Sequence, residues 1–210
     1  SVFGGSFFYL LKTSDSSTGF IANFDGSKKK QIWSSSIKEL LSQYVNLKTV
    51  ALTTKPAQNV PGFLYFVDTG TGQVRKILGD IVGLSTLISP DGNFVLYLEQ
   101  GNTVQMTVLD QKNKTFNKTT PATFPEKCVW SNKNKNILYC AVPRGFIDGG
   151  SLSSWYKGAV SFTDDIWRYD TQNKTSTLIE NLSNDSLVSI DVVKPMLSEN
   201  EQYLVFINKI

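Results

Sequence analysis

The chain has 210 residues, 40% of them hydrophobic and 19% charged, with a formal net charge of +3. These values are typical of a globular protein of one or two domains, and the scattered basic residues give no support for binding to nucleic acid. The absence of histidine excludes Ser-His-Asp and Cys-His nucleophile systems and histidine-bound zinc, and no run of about 18 apolar residues is present to form a transmembrane helix.

Short apolar runs recur about every 43 residues along the chain. Each run is followed about a dozen residues later by a second one. The first runs of the four repeats are Phe7–Leu11, Val50–Thr54, Phe94–Leu98 and Ile137–Ala141. Repeats of about 40–45 residues built from short strands are typical of β-propeller blades. The sequence therefore predicts an all-β fold, a β-propeller of four-stranded antiparallel blades.

The first two repeats are predicted to be a partial blade, residues 1–35, and a whole blade, residues 36–80. Strands are expected at Ser6–Lys12, Thr18–Phe24, Lys30–Ser34, Val50–Thr54, Phe63–Asp68 and Gln73–Leu78. The first strand of the second blade is the uncertain one, because Ile37, Leu40, Leu41 and Tyr44 recur at helical spacing. We expect one or two helical turns there; the alternative is an irregular strand.

Residues 81–121 and 122–182 are predicted to be whole blades, and residues 183–210 a partial one. Ser89–Gly92 reads Ser-Pro-Asp-Gly, a tight turn between strands Gly83–Ser89 and Asn93–Glu99. The later strands are Val104–Asp110, Thr115–Thr119, Asn136–Pro143, Asp165–Asp170, Ser176–Glu180, Val188–Val193 and Gln202–Asn208. The chain would thus be a single propeller region covering roughly four to five blades of a larger or incomplete ring, and a mature or truncated piece of its protein.

Two cysteines flank a predicted hairpin turn in the fourth blade. Cys128 lies three residues before the polar stretch Ser131–Asn136 and Cys140 four residues after it. Directly opposed residues on antiparallel strands come close to the Cβ separation that a disulfide needs. We predict one disulfide within this blade, which would indicate an oxidising, extracytoplasmic compartment. The alternative is two buried thiols.

Several short motifs follow one another along nearly the whole chain. They are Thr53–Pro56, Gly83–Thr86, Pro125–Ser131, Tyr139–Pro143, Trp155–Gly158, Asp165–Trp167 and Tyr203–Lys209. In this order they resemble an uncharacterised family of WD40-like, TolB-like propellers from reduced-genome (Patescibacteria-type) bacterial candidate phyla. The resemblance implies no assigned activity. It does imply an N-terminal membrane anchor outside this chain, a propeller outside the membrane, and further blades before this segment.

Residues 144–164 depart from the repeat and form a predicted loop insertion in the fourth blade. Loops on a rigid scaffold often carry recognition, and exposed Trp, Tyr and Arg make interface anchors. The candidate partner-binding residues are Arg144, Phe146, Trp155, Tyr156 and Lys157. In the alternative interpretation, Trp155 and Tyr156 fold back and cover the blade or plug the central channel. Asp164 and Asp165 could join a cation site, but we expect solvated turn residues.

No catalytic residue, metal or cofactor is predicted. Asp68, Asp110 and Asp170 end equivalent strands of successive blades, so they are expected to cap turns and not to converge as a catalytic pair. Trp33, Trp130 and Trp167 are expected to pack between blades. The sequence predicts a non-enzymatic cell-envelope or surface module that binds protein or glycan. The alternative is a substrate-docking propeller of a hydrolase or peptidase whose catalytic domain lies outside this chain.

Overall fold

The computed structural model describes residues 1–101, 103–145, 151–182, 184 and 188–209. Almost all regular structure in these residues is antiparallel strand. The chain divides into two compact units. Unit 1 is Ser1–Leu84 with Pro90–Gly92, and unit 2 is Ser85–Ser89 with Asn93–Ile210.

Unit 1 contains two four-stranded sheets, each with its strands in chain order. Sheet 1 consists of β1 (Val2–Phe3), β2 (Ser6–Lys12), β3 (Ser17–Asn23) and β4 (Lys30–Ser35). Sheet 2 consists of β5 (Leu40–Asn46), β6 (Thr49–Thr54), β7 (Pro61–Asp68) and β8 (Val74–Val82). The two-residue strand β1 is an addition to the three strands that the sequence predicted for sheet 1.

The helical turns predicted at the start of the second blade are wrong, because residues 40–46 form strand β5. Its pairing with β6 shifts register between Tyr44 and Asn46. This bulge places Tyr44 and the adjacent Val45 both in the interior, so the buried positions lose the alternation of a regular strand. Of the residues whose spacing resembled a helix, Leu40 and Tyr44 point to the core from one face of the strand, whereas Leu41 is 42% exposed.

Unit 2 contains two more four-stranded sheets and a two-stranded one among its described residues. Sheet 3 consists of β9 (Ser85–Ile88), β10 (Phe94–Gln100), β11 (Val104–Asp110) and β12 (Thr115–Thr119). Sheet 4 consists of β13 (Cys128–Trp130), β14 (Ile137–Pro143), β15 (Asp164–Asp170) and β16 (Thr175–Glu180). Sheet 5 consists of β17 (Val192–Leu197) and β18 (Leu204–Asn208). A 3₁₀ turn at Pro125–Lys127 precedes β13, and helix α1 (Ser151–Tyr156) lies between β14 and β15.

Within each unit, apolar side chains from neighbouring sheets form the core. In unit 1, Phe8 and Trp33 of sheet 1 pack with Leu40 and Leu52 of sheet 2. In unit 2, side chains of sheets 3 and 4, among them Trp130, form one cluster. Trp167 packs against that cluster, so the three tryptophans at positions 33, 130 and 167 serve packing as predicted.

The predicted disulfide is present between the first two strands of sheet 4. Cys128 and Cys140 are register partners on β13 and β14, with their Cα atoms 4.0 Å apart. Both residues are buried. The hairpin pairing that the sequence predicted therefore brings the two sulfur atoms together.

The aspartates at the ends of β7, β11 and β15 cap the turns that follow, as predicted. Asp110 Oδ1 accepts the backbone N–H groups of Lys112 and Asn113, and Asp170 accepts those of Gln172 and Asn173 in the same way. Asp68 Oδ1 likewise accepts two turn N–H groups. These bonds favour the ionised carboxylate and lower the pKa of all three residues.

Candidate functional site

The insertion in sheet 4 carries a short helix whose apolar side packs into unit 2. Leu152 and Trp155 of α1 are buried in a cluster with Leu98 and Phe124. The ring centroids of Trp155 and Phe124 are 5.5 Å apart. Trp155 therefore covers the core, as the alternative interpretation of the insertion expected, and is not a free surface anchor.

Next to α1, a buried lysine binds two buried aspartates. Lys127 Nζ lies 2.5 Å from Asp164 Oδ2, bonds Asp191 Oδ1 and lies 3.2 Å from the Val192 carbonyl oxygen. The lysine and aspartate side chains are at most 2% exposed. The Trp155 Nε1–H group donates to both Asp191 oxygens, at 3.0 and 2.9 Å. This cluster, which we call the Lys127 network, joins the 3₁₀ turn, the helix and the beginnings of β15 and β17.

The expectation of solvated turn residues at Asp164 and Asp165 is wrong. Asp164 belongs to the Lys127 network, where burial raises the pKa of its carboxyl against the opposing pull of the Lys127 ammonium. Asp165 is paired with Arg144, whose Nε and terminal nitrogen lie 2.9 and 2.8 Å from its two oxygens. Both acids acquire partners that are distant in sequence. In the described part of the chain, no group of three or more Cys, Asp or Glu is placed to hold a metal ion.

A cavity of about 260 Å³ opens beside the Lys127 network. Its wall is largely apolar and carries two amines and one carboxyl group. We call it the insertion cavity; its lining residues are Glu126, Trp155, Tyr156, Val193, Lys194 and Lys209.

Glu126 supplies the carboxyl group of the insertion cavity. Its Oε1 atom accepts the Ser85 hydroxyl at 2.5 Å and the Tyr156 hydroxyl. Its Oε2 atom is buried and has no hydrogen-bond partner within the described ranges. Burial raises the pKa of the Glu126 carboxyl above its ordinary value of 4.5, and burial also raises the pKa of Tyr156. Because the Oε2 atom is closed to solvent, it does not face the cavity.

Lys209 supplies one of the two amines. Its Nζ donates to the Trp155 carbonyl oxygen and lies 4.4 Å from the centroid of the Trp155 ring. Burial lowers the pKa of the Lys209 ammonium. Lys194, the other amine, is exposed and has a positive φ of 50°. Both side chains place positive charge at the insertion cavity.

The predicted partner-binding residues occupy different environments. Tyr156 lines the insertion cavity and is 39% exposed, and its neighbour Lys157 is exposed. Arg144 is held by Asp165 away from that lining. Phe146 lies outside the described residues.

Sequence reasoning missed Glu126, Lys194 and Lys209 as cavity residues. Glu126 lies in the fourth repeat and the two lysines lie 15 residues apart in the partial repeat that follows, so no local spacing connects the three. The one available signal was the pair Glu126-Lys127, two charges placed directly before a predicted buried strand. Charged residues are seldom buried without partners, so this pair could have indicated a buried polar network.

The variant Glu126→Gln should change how stability depends on pH. The folded state binds the Glu126 proton more tightly than the unfolded state, so this group costs stability as the pH rises above about 4.5. Glutamine does not titrate. We expect the variant to match wild type near pH 4 and to be more stable by roughly 1–2 kcal/mol near pH 8, where the wild type must bury a charge. Urea unfolding at both values measures this; a stability difference independent of pH would contradict it.

Several solved structures share the fold of this chain. TolB from Acinetobacter baumannii has a TM-score of 0.68 at 19% identity, over 98% of this chain and 47% of that one. An uncharacterized protein from Listeria monocytogenes EGD-e has a TM-score of 0.62 at 12% identity, over 98% and 56%. The β-propeller domain of the Trilobed protease from Pyrococcus furiosus has a TM-score of 0.54 at 14% identity, over 90% and 57%.

These similarities, together with the four-stranded sheets, show a TolB-like β-propeller fold. The chain spans about half the length of the solved structures that it matches. Identities of 19% or less establish the fold and not the function. No family model and no curated protein matches the sequence.

Proposed function

We propose that this chain is a non-enzymatic interaction module that binds a protein or glycan partner at the insertion cavity. The observation that carries the proposal is the insertion cavity itself, an apolar concavity walled by Trp155 and Tyr156 with the amines of Lys194 and Lys209 in its lining. An apolar concave site with a few convergent polar groups is the usual form of a binding site.

The framework around the cavity supports binding with little reorganisation. Trp155 is fixed by Phe124 and Asp191, and the Tyr156 hydroxyl is fixed by Glu126. Side chains already held in place lose little conformational entropy when a partner binds. The absence of histidine and of a nucleophile motif agrees with a binding role.

The proposal includes an extracytoplasmic location, at the cell envelope or surface. The disulfide supports it, because such bonds persist in oxidising compartments. The family that the sequence resembles implies an N-terminal membrane anchor. In this proposal the anchor is formed by residues outside this chain. Among the described residues, no helix has the length and apolar character of a membrane span.

Site-specific photocrosslinking tests the proposal. A photoreactive amino acid replaces exposed Lys157, next to the cavity, and in a control protein it replaces exposed Lys114 on the β11–β12 turn. Envelope extract from the source cells and a glycan array serve as the two sources of partner. We expect one reproducible partner from position 157 that excess unlabelled protein displaces and that position 114 does not capture. Identical capture from both positions, or no capture and no glycan binding, would overturn the proposal.

A second candidate function is substrate docking for a hydrolase or peptidase. The observation that favours it is the fold shared with the propeller domain of the Trilobed protease. It requires a catalytic domain in the full-length protein, outside this chain. A panel of peptide and ester substrates applied to the full-length protein tests it. Absence of turnover would argue against this second function, and the binding role would then be the remaining proposal.

A further inference from the structure

The Lys127 network contains one oxygen atom that its hydrogen bonds do not use. Asp164 Oδ2 accepts the Lys127 ammonium at 2.5 Å and the Val192 backbone N–H group at 2.7 Å. Asp164 Oδ1 is buried and has no hydrogen-bond partner within the described ranges. Buried polar atoms without a partner are costly and uncommon in folded proteins, so this oxygen is the unusual feature of the network.

The amine of Lys127 and the carboxyl group of Asp164 are enclosed together. Neither side chain has exposed surface. Lys127 Nζ lies 5.1 Å from the centroid of the Trp155 ring and 5.5 Å from that of the Phe162 ring. A site closed to water protects an amide from hydrolysis, and two groups held in contact react far faster than the same groups free in solution. The site therefore favours condensation of the amine with the acid.

The neighbouring groups are placed to move protons and to polarise the acid. Asp191 Oδ1 accepts from the Lys127 ammonium, and the Trp155 Nε1–H group donates to both Asp191 oxygens. A carboxylate in this position can take a proton from the ammonium and leave a nucleophilic amine. Burial raises the pKa of the Asp164 carboxyl and so favours the neutral acid, which an amine can attack. The Val192 N–H group polarises its C–Oδ2 bond.

We propose that Lys127 and Asp164 condense to an amide, an isopeptide bond that crosslinks the chain. Lys127 gives one ammonium proton to Asp191, which keeps it. The amine Nζ then bonds to Asp164 Cγ, and a second Nζ proton passes to Oδ1. The Cγ–Oδ1 bond breaks, and Oδ1 leaves as water with the proton that the acid already carried. The ion pairs described above are the state before this reaction.

The reaction removes the unusual feature of the network and needs no further reactant. The oxygen that leaves is Asp164 Oδ1, the one without a partner in the described part of the chain. The oxygen that stays, Oδ2, becomes the amide carbonyl and keeps its bond from Val192. This inference is independent of the proposed binding function, because it concerns a modification in the interior of unit 2.

The intact mass of the purified 210-residue chain is the first test. The protein is denatured and treated with dithiothreitol, which opens the disulfide but does not cleave an amide. We expect a mass about 18 Da below that of the sequence, corresponding to one lost water. The full mass of the sequence would overturn the proposal.

A tryptic peptide map locates the lost water. Trypsin cleaves after lysines with a free amine, so we expect no cleavage after Lys127. The expected product is a branched peptide in which residues 119–133 are joined to residues 158–168. Ordinary cleavage after Lys127 in a protein that lacks one water would place the loss elsewhere and would also overturn the proposal.

Two matched aspartate variants test the chemistry. Asp191→Asn removes the proton acceptor, and we expect the linked fraction to fall at least roughly 10-fold. Asp165→Asn removes the adjacent acid, which pairs with Arg144, and should leave the link intact; this result assigns the bond to Asp164. Urea unfolding establishes that each variant is folded. A folded Asp191→Asn protein that is linked as fully as wild type would contradict the proposed step. Should that variant fail to fold, the wild-type peptide map decides.

Discussion

Replacing Lys127 by methionine is expected to lower the free energy of unfolding by about 3–5 kcal/mol, the range observed when one partner of a buried ion pair is removed. Methionine fills a similar volume, so the loss reports on charge. Asp164 and Asp191, both essentially without solvent access, would then be buried carboxyl groups without the ammonium that now binds them. Urea unfolding followed by tryptophan fluorescence measures the change.

A combined variant separates electrostatics from packing at this site. Adding Asp164→Asn and Asp191→Asn to the methionine variant removes the unpaired charges, and we expect it to recover more than half of the lost stability. Lys174→Met, in the exposed β15–β16 turn, is the matched control and should change stability by less than about 0.5 kcal/mol. If Lys127→Met proved as mild as that control, the network would not be an essential part of the fold.

Reducing the disulfide is expected to lower the free energy of unfolding by about 2–3 kcal/mol, because the bond closes a loop of 12 residues and so restricts the unfolded chain. Both sulfur atoms are buried in sheet 4, so dithiothreitol should act chiefly after partial unfolding. Denaturant unfolding with and without dithiothreitol, with intact mass after alkylation, measures the effect and the redox state.

The double variant Cys128→Ala/Cys140→Ala is the control for the effect of reductant. It should be insensitive to dithiothreitol and about as stable as the reduced wild type, less a small penalty for the lost side-chain volume. Two alkylatable thiols in native protein purified without reductant would contradict the disulfide. They would also remove the main support for an extracytoplasmic location.

The predictions that succeeded depend on information that is local in the sequence. Strands such as Val104–Asp110 and Thr115–Thr119 were correct to the residue because the polar turn of residues 111–114 separates them clearly. The pairing of Cys128 with Cys140 follows from counting outward from one hairpin. Asp110 and Asp170 bind backbone groups only two and three residues away, and such contacts are visible in a sequence pattern.

The predictions that failed depend on contacts between distant residues. In the sequence, Asp164 resembles a turn residue. In the structure, its counter-charge comes from Lys127, 37 positions earlier in the chain. The helical spacing at β5 counted Leu41 as a core residue, but Leu41 is exposed and only Leu40 and Tyr44 of that strand's pattern pack in the core of unit 1. The insertion cavity combines Glu126 with Lys209, and no periodicity connects residues so far apart.

Asp164 and Asp191 share the ammonium of Lys127. This shared pairing also limits the order in which the three residues can be replaced during evolution. Loss of Lys127 first would leave two buried carboxyl groups without a counter-charge. Loss of either aspartate first would leave the Lys127 ammonium paired with the remaining aspartate. Viable lineages would therefore replace an aspartate before the lysine. In a set of diverged relatives, sequences that keep the lysine with a single acid should outnumber those that keep both acids without the lysine.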